Sequence, residues 1–343
     1  MHELLNTLYV LTQGAVLHLE HDAVRVEVDQ QLRFRAPLLR LSGIVVFGRV
    51  SVSPFLIHRC AEDGRALVWL DQHGRYKARI EGAIHGNVLL RRAQHLALSD
   101  RERTARIARQ IVAAKIQNSR QVLLRGARES GEDEDRRALS DGAERLAGIL
   151  LRLRQTRDLD EVRGAEGEAA RSYFSVFRHL IRGDRQHFTP DGRTRRPPRD
   201  RTNALLSFLY ALLRTECQSA LEGVGLDPQV GYLHALRPGR PALALDLMEE
   251  LRPVLADRLA LTMINRRQLQ PQHFDELPGG AVFLNEEGRR TVLTTYQRRK
   301  EEEITHRVIQ QKLPLGLVPH VQARLLARHL RGDLEEYPPF FHR

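Results

Sequence analysis

The side-chain period changes near residue 88, and that change limits the architecture more than any other feature. Up to residue 87 apolar and polar residues alternate in short, often β-branched runs: LNTLYVLT, AVLHLE, AVRVEVD, LRFRAP, GIVVFG, ALVWLD and YKARIEGA. Alternation in twos gives a strand one face for a core and one for water. Gly14, His21-Asp22, Gly48, Gly64 and the Gln72-His73-Gly74 corner separate the runs as turns. Seven short strands at this spacing predict a small antiparallel sandwich. SPFLIHRCAEDG, which holds Cys60, interrupts them as a short helix.

Beyond residue 88 the spacing becomes helical. LLRRAQHLALSDRERTARIARQIVAAKIQNSRQVLLRGAR repeats Leu, Ile and Val every three or four residues, with Ser99-Asp100 as an internal start signal. The acidic stretch ESGEDEDRRALSDGAERLAG (129–148) reads as a solvated loop followed by a helix. ILLRLRQTRDLDEVRGAEGEAARSYFSVFRHLI and NALLSFLYALLRTECQSALEGVG read as helices. Between them, RGDRQHFTPDGRTRRPPRD (182–200) has too much Pro, Gly and Arg for a long helix and is expected to be a flexible basic loop. A helix over 242–265 follows, then helical RRTVLTTYQRRKEEEITHRVIQQKL and HVQARLLARHLRGDLEEY. The expectation is an α+β chain: a small N-terminal β-sandwich-like domain, residues 1–87, then a larger all-α domain, residues 88–343.

The formal net charge of +11 points to a polyanionic partner, nucleic acid before a membrane surface. Only Lys77, Lys115, Lys300 and Lys312 are lysines, so the other 50 of the 54 basic residues are Arg. A GC-rich genome would also enrich Arg. Cys60 and Cys217 form no metal-spaced cluster and read as buried thiols in a reducing compartment. The N-terminus lacks the pattern of a signal peptide, and no apolar run approaches the ~18 residues of a membrane span. The chain is expected to be cytoplasmic and not membrane-bound.

One helix breaks the basic pattern. In ALALDLMEELRP, Asp246 has Glu249 and Glu250 as its three- and four-residue neighbours. Like charges at that spacing cost a few tenths of a kcal/mol, roughly, when nothing compensates. A solvated acidic face is the plain reading. Against it stand His234, shortly upstream after the loop GLDPQVGY, and Glu166 and Glu168 in GAEGEAARSYF. Carboxylates and a histidine from separate segments can form an oxygen-rich site for Mg²⁺ or Mn²⁺. In a DNA-binding protein such an ion does phosphodiester chemistry.

Cations flank these motifs. Arg163, Arg171 and Arg252 could fork onto phosphate oxygens, and Arg252 could equally steady Glu249 or Glu250. Tyr173 and Tyr210 read as DNA contacts or core. Asn203 reads as an N-cap or a DNA contact. Arg193, Arg195 and Arg196 in the basic loop, and Arg298, Arg299 and Lys300 near the C-terminus, are candidates for sequence-tolerant backbone binding.

GAEGEAARSYF, RTRRPPRDRTNALLSFLYALL, GLDPQVGYLH and PALALDLMEELRP occur in the order found in one family. With LNTLYVLTQGAVLHLE, IVVFGRVSVSPFLIHRCAEDG, LVWLDQHGRYKARIEG, LLRRAQ and FLNEEGRRTVLTTYQRR, they extend the resemblance over most of the chain. The chain resembles the CRISPR-associated adaptation endonuclease/integrase, the larger protein of the spacer-acquisition pair, with the flavour of type I-C versions. The resemblance implies metal ligands Glu166, His234 and Glu249, with Asp246 as a secondary acidic position and Mg²⁺ or Mn²⁺ as the ion. It implies insertion of short foreign DNA fragments into a CRISPR array, in prokaryotic antiviral defence, by 3′-hydroxyl attack on a repeat phosphodiester. It also implies a homodimer through the β domain, and two such dimers flanking a dimer of the small partner protein. Two other readings compete: a non-catalytic DNA-binding scaffold of the same fold, and a general metal-dependent nuclease of DNA repair.

Overall fold

The structure, a computed structural model, describes residues 6–74, 76–82 and 88–342. Leu5, which opens the first expected strand, Ala83, which ends the last, and the expected boundary at residue 87 lie outside these. The chain divides into two compact units, one of Met1–His85 with Leu284–Glu302, the other of Gly86–Phe283 with Glu303–Arg343.

The first unit contains β1 (Asn6–Val10), β2 (Val16–Glu20), β3 (Ala23–Val28), β4 (Gln31–Pro37), β5 (Leu41–Phe47), β6 (Ser51–Val52), α1 (Pro54–Glu62), β7 (Ala66–Leu70) and β8 (Tyr76–Arg79). They form two four-stranded sheets, ordered β1-β5-β7-β8 and β4-β3-β2-β6. The expected sandwich is therefore present, but it is not antiparallel throughout. β5 pairs in parallel with both β1 and β7, and β2 with β6. Parallel pairing needs a crossover, and α1 supplies it between β5 and β7. Ser53 caps that helix, and Pro54 opens it, where a missing N–H costs nothing. Leu56 and Cys60 on α1 join Leu17, Val24, Val46 and Leu67 in the core. Burial pushes the Cys60 thiol up to about 11, which suits an inert packing residue.

The second unit contains α2 (Val88–Ser99), α3 (Arg101–Glu129), α4 (Asp133–Leu153), α5 (Leu159–Val176), α6 (Arg185–Phe188), α7 (Arg201–Gly223), α8 (Ala242–Leu251) and α9 (Arg258–Asn265). The hairpin strands β9 (Phe274–Leu277) and β10 (Ala281–Leu284) follow, and then α10 (Glu286–Glu301), which belongs to the first unit. A second hairpin, β11 (Glu303–His306) and β12 (Gln311–Pro314), precedes α11 (Val318–Arg331). α3 is the spine and packs against α4, α5 and α8. Asp100 caps it, its Oδ1 accepting the Arg103 N–H at 2.9 Å.

Two expectations change here and a third is narrowed. The C-terminal part is not all-α. EITHRVIQQKL turns as a hairpin because Ile304 and Thr305 suit a strand and Gln310 takes a positive φ of 53° in the turn. The acidic stretch 129–148 is a loop followed by a helix as expected, but the loop is only residues 130–132 and α4 already starts at Asp133. Asp133, Glu134 and Asp135 fill its first turn, where the helix dipole favours negative charge. Asp135 is buried, paired with His179 at 2.7 Å and with Arg185. The 242–265 helix is not continuous. Pro253 has no N–H to give, and Arg252–Asp257 passes through one π-helical turn before α9. Among the described residues no helix is long and apolar enough to cross a membrane.

Candidate active site

Gly231 decides how the loop before α8 lies. A Cβ there would stand 2.6 Å from the Ala242 carbonyl carbon and 2.8 Å from Asp246 Oδ2. Glycine lets the loop lie directly on the helix. The next three N–H groups then reach one carboxylate. Tyr232 and Leu233 donate to Asp246 Oδ2 at 2.6 and 2.9 Å, and His234 donates to Oδ1 at 3.0 Å. The His234 ring adds a fourth bond, Nδ1 to Oδ1 at 2.6 Å. Since Oδ1 already accepts a backbone proton, Nδ1 is assigned as donor. Nε2 is left with its lone pair, 3.7 Å from Glu249 Oε1.

The acidic helix is not a solvated face: Asp246, Glu249 and Glu250 are each at most 1 % exposed. They escape mutual repulsion by facing three different partner sets. Asp246 serves the loop. Glu250 points to the C-terminal segment, accepting from Tyr337 Oη at 2.5 Å, Phe340 N at 2.6 Å and Gln322 Nε2 at 3.0 Å. Glu249 faces cations. Arg252 Nη1 lies 2.8 Å from Oε1, and Lys115 Nζ lies 2.7 Å from Oε2. Burial pushes the Glu249 carboxyl up, but the Arg252 and Lys115 charges outweigh it and hold the group at about 2.

Glu166 comes from the second turn of α5, which starts at Leu159 behind an Asp158 cap. Its Oε1 contacts the same Lys115 ammonium. Three helices thus meet at one cation: Lys115 comes from α3, Glu166 from α5 and Glu249 from α8. Arg163 ties α5 to the loop, its Nε donating to the Leu233 carbonyl at 2.8 Å and its Nη1 pairing with Asp160 at 3.0 Å.

Beside this cluster the Tyr210 ring lies between two guanidinium groups, Arg252 at 5.0 Å and Arg193 at 5.3 Å from its centroid. Tyr210 Oη donates to Asp257 Oδ1 at 2.7 Å. Burial pushes the Asp257 carboxyl up to about 6 despite Tyr210, Tyr173, Arg252 and Arg193.

The other expected residues divide. Arg171, Arg195, Arg196 and Arg298 are exposed. Tyr173 is 3 % exposed and packs edge-on against Phe174 and Phe177, so of its two readings, core holds. Asn203 is neither cap nor surface contact. Asp200 caps α7, and buried Asn203 holds the Gly192 carbonyl at 2.9 Å and accepts from Arg193 at 2.7 Å. That bond, with Arg193 to Ser207 at 3.2 Å, anchors the 182–200 loop, which also contains α6, so it is not a free basic loop. Lys300 is buried against the Tyr296 ring, and Arg299 pairs with Glu302. Glu168 pairs outward with Arg152 at 2.7 Å.

The donor set suits a hard divalent ion: two carboxylates and an oriented imidazole nitrogen. Glu249 Oε2 is buried and makes no aligned hydrogen bond, although the Lys115 charge is beside it. A cation is what this oxygen requires. Among the described residues no three His, Cys, Asp or Glu groups stand ready around a single ion position; between Glu166 and Glu249 stands the Lys115 ammonium. The Asp246 oxygens, each with two N–H partners, orient His234 and do not face the cluster, in contrast to the secondary ligand role the resemblance implied. Lys115, Asp257 and Gly231 were not singled out from the sequence. Lys115 carried one signal: it is one of only four lysines in an Arg-rich chain.

Residues 8–298 match the family described as CRISPR associated protein Cas1. A CRISPR-associated endonuclease Cas1 of Moorella thermoacetica is 57 % identical over 343 residues, covering 100 % of both chains. Another, of Rhodospirillum rubrum, is 52 % identical over 345 residues and 99 % of each chain. Among solved structures, a Cas1 protein from Thermotoga maritima superposes with a TM-score of 0.81 at 25 % identity, over 95 % of this chain and 97 % of that one. A casposase bound to its integration product shares the fold at a TM-score of 0.81 and 21 % identity, over 97 % and 93 %.

Proposed function

The chain belongs to the CRISPR-associated Cas1 family, and we propose that its Glu166–His234–Glu249 cluster is a metal-dependent strand-transfer centre. The protein is a CRISPR-associated endonuclease. The reaction we assign is integration: a 3′-hydroxyl of a short foreign DNA fragment attacks a phosphodiester at the edge of a CRISPR repeat. One P–O bond forms and one breaks, the departing oxygen takes up a proton, and no covalent protein intermediate is needed.

The observation that supports this reading is that Glu166 and Glu249, from two helices, share one enclosed cation, Lys115, while His234 Nε2 lies 3.7 Å from the other oxygen of Glu249. Glu166 and Glu249 supply anionic oxygen and His234 Nε2 a neutral nitrogen. Bound Mg²⁺ or Mn²⁺ would polarise the phosphate and ease deprotonation of the attacking hydroxyl. Asp246 fixes the imidazole tautomer and direction. Arg252 is held between Glu249 and the Tyr210 ring, so its position does not depend on substrate. The exposed arginines Arg171, Arg195 and Arg196 are assigned to the phosphate backbone, contacts that tolerate any fragment sequence.

Assembly is part of the proposal. Leu32, Phe34, Leu39 and Phe55 of the first unit are 46–79 % exposed, the kind of apolar surface that marks an interface. We assign it to a homodimer, two of which flank a dimer of the small adaptation partner. Cas1–Cas2 complexes occur among proteins of this fold. The type I-C assignment rests on the resemblance of the motifs alone.

The test is a joining assay. Wild type and Glu249→Ala, each with the small partner, receive a fluorescent short duplex and a supercoiled plasmid carrying the cognate repeat. Metal-dependent transfer of label to plasmid, abolished by EDTA and by the substitution, is expected. DNA binding by both proteins without joining under Mg²⁺ or Mn²⁺ would leave a non-catalytic scaffold instead.

A further inference from the structure

The geometry points to Lys115 as a built-in counter-ion: it occupies the divalent-cation position between Glu166 and Glu249, and metal enters by displacing it. The inference rests on the metal-centre reading above.

Nζ serves two carboxylates from two different helices, contacting Glu166 Oε1 and lying 2.7 Å from Glu249 Oε2. The Lys115 side chain is only 12 % exposed and rises from α3 between the buried residues Ala114 and Ile116. An ammonium that enclosed is tolerable only against paired charge, and two carboxylates that close need a cation between them. Metal–carboxylate bonds to Mg²⁺ are about 2.0–2.1 Å long. The two oxygens that would make them are turned to the ammonium. The same lone pairs cannot serve both cations at once, so binding is an exchange of one for the other.

The residue type agrees. The chain uses Arg at 50 of its 54 basic positions, yet this one is Lys. A guanidinium would grip both carboxylates with a rigid fork, whereas an ammonium is a point charge on a flexible four-carbon stem. The side chain also has somewhere to go. A cavity of about 20 Å³, bordered by Lys115, Ser119, Tyr173, Tyr210, Arg252 and Asp257, adjoins it. That is room for roughly one water-sized group. Asp257, which also lines that cavity, offers the displaced ammonium an acceptor, while Arg252 stays with Glu249.

The experiment measures Mn²⁺ binding by titration calorimetry to the full-length chain: wild type, Lys115→Gln, Lys115→Met and Lys115→Arg. Thermal melting is followed with and without Mn²⁺. Removing the competing charge is expected to tighten Mn²⁺ binding by about tenfold or more in the Gln and Met variants. Their metal-free melting temperature should fall and Mn²⁺ should restore it, while Lys115→Arg should bind Mn²⁺ more weakly than wild type. The Gln variant keeps a polar group against the carboxylates, so it reports even where the Met variant fails to fold. Mn²⁺ binding by wild type with equal or weaker binding by Lys115→Gln would overturn the exchange and leave the metal centre standing. No Mn²⁺ binding by any of the four would sink the metal-centre reading itself, and the exchange with it.

Discussion

His234 Nδ1 lies 2.6 Å from Asp246 Oδ1, and this bond turns Nε2 toward Glu249. The pair is a histidine with a carboxylate behind it, the arrangement that fixes tautomer and ring orientation in metal sites. Asp246→Asn keeps the shape but can place an amide N–H₂ against donors that now find a carboxylate. Metal affinity and joining rate are expected to fall roughly 10- to 100-fold, with the fold retained. Mn²⁺ titration and the joining assay on the same preparation check this. An unchanged Mn²⁺ affinity would deny Asp246 its positioning role.

Glu249→Gln acts on stability as well as on chemistry. The carboxylate sits between Arg252 and Lys115, whose side chains are 14 % and 12 % exposed. Removing one partner of a buried pair leaves uncompensated charge, which costs about 3–5 kcal/mol. Urea unfolding of the metal-free protein should show a loss of that order, and Mn²⁺ should no longer raise the melting temperature. A variant as stable as wild type would mean that Lys115 and Arg252 are adequately served by other groups.

The order of sheet, then helices, was legible because alternation in twos and in threes and fours is local. So was the oddity of three carboxylates on one basic chain's apolar helix. Their separate fates were not legible. Lys115 lies more than a hundred residues before Glu249, Tyr337 lies as far beyond Glu250 as three helices, and the Asp246 partners are backbone N–H groups that no side-chain pattern records. The hairpin at 303–314 was missed for a different reason: its strands are four residues each, too short for either period to assert itself. Parallel pairing around β5 is likewise a property of the crossover, not of the strand.

Asp257 sets a pH dependence of its own. Burial raises its carboxyl from 3.8 to about 6, so the folded protein holds the proton more tightly than the unfolded chain. The stability this contributes is complete below about pH 3.8 and is lost as pH rises through about 6. A shift of this size corresponds to on the order of 3 kcal/mol. Wild type minus Asp257→Asn, measured by urea unfolding between about pH 4 and pH 7, should therefore decline across that window. A flat difference would show that Arg193 and Arg252 keep the carboxylate charged.

Arg193 and Arg195 stand two residues apart in one loop and do different work. The Arg193 guanidinium is spent on Asn203 at 2.7 Å, Ser207 at 3.2 Å and the faces of Tyr210 and Phe174. Arg195 is exposed and borders the cavity beside Lys115. Arg193→Ala should release the loop, seen as faster limited proteolysis within 182–200 and a lower melting temperature. Its effect on the salt dependence of DNA binding should be small, because that charge is not available to phosphate. Arg195→Ala should do the reverse. Stability stays near wild type, and binding weakens alike for unrelated duplexes. The slope of log affinity against log salt becomes shallower by about 0.9 for each phosphate that is no longer neutralised. An equal change of salt slope in both variants would show that the loop lets go of Tyr210 when DNA arrives, and that Arg193 reaches the phosphates after all.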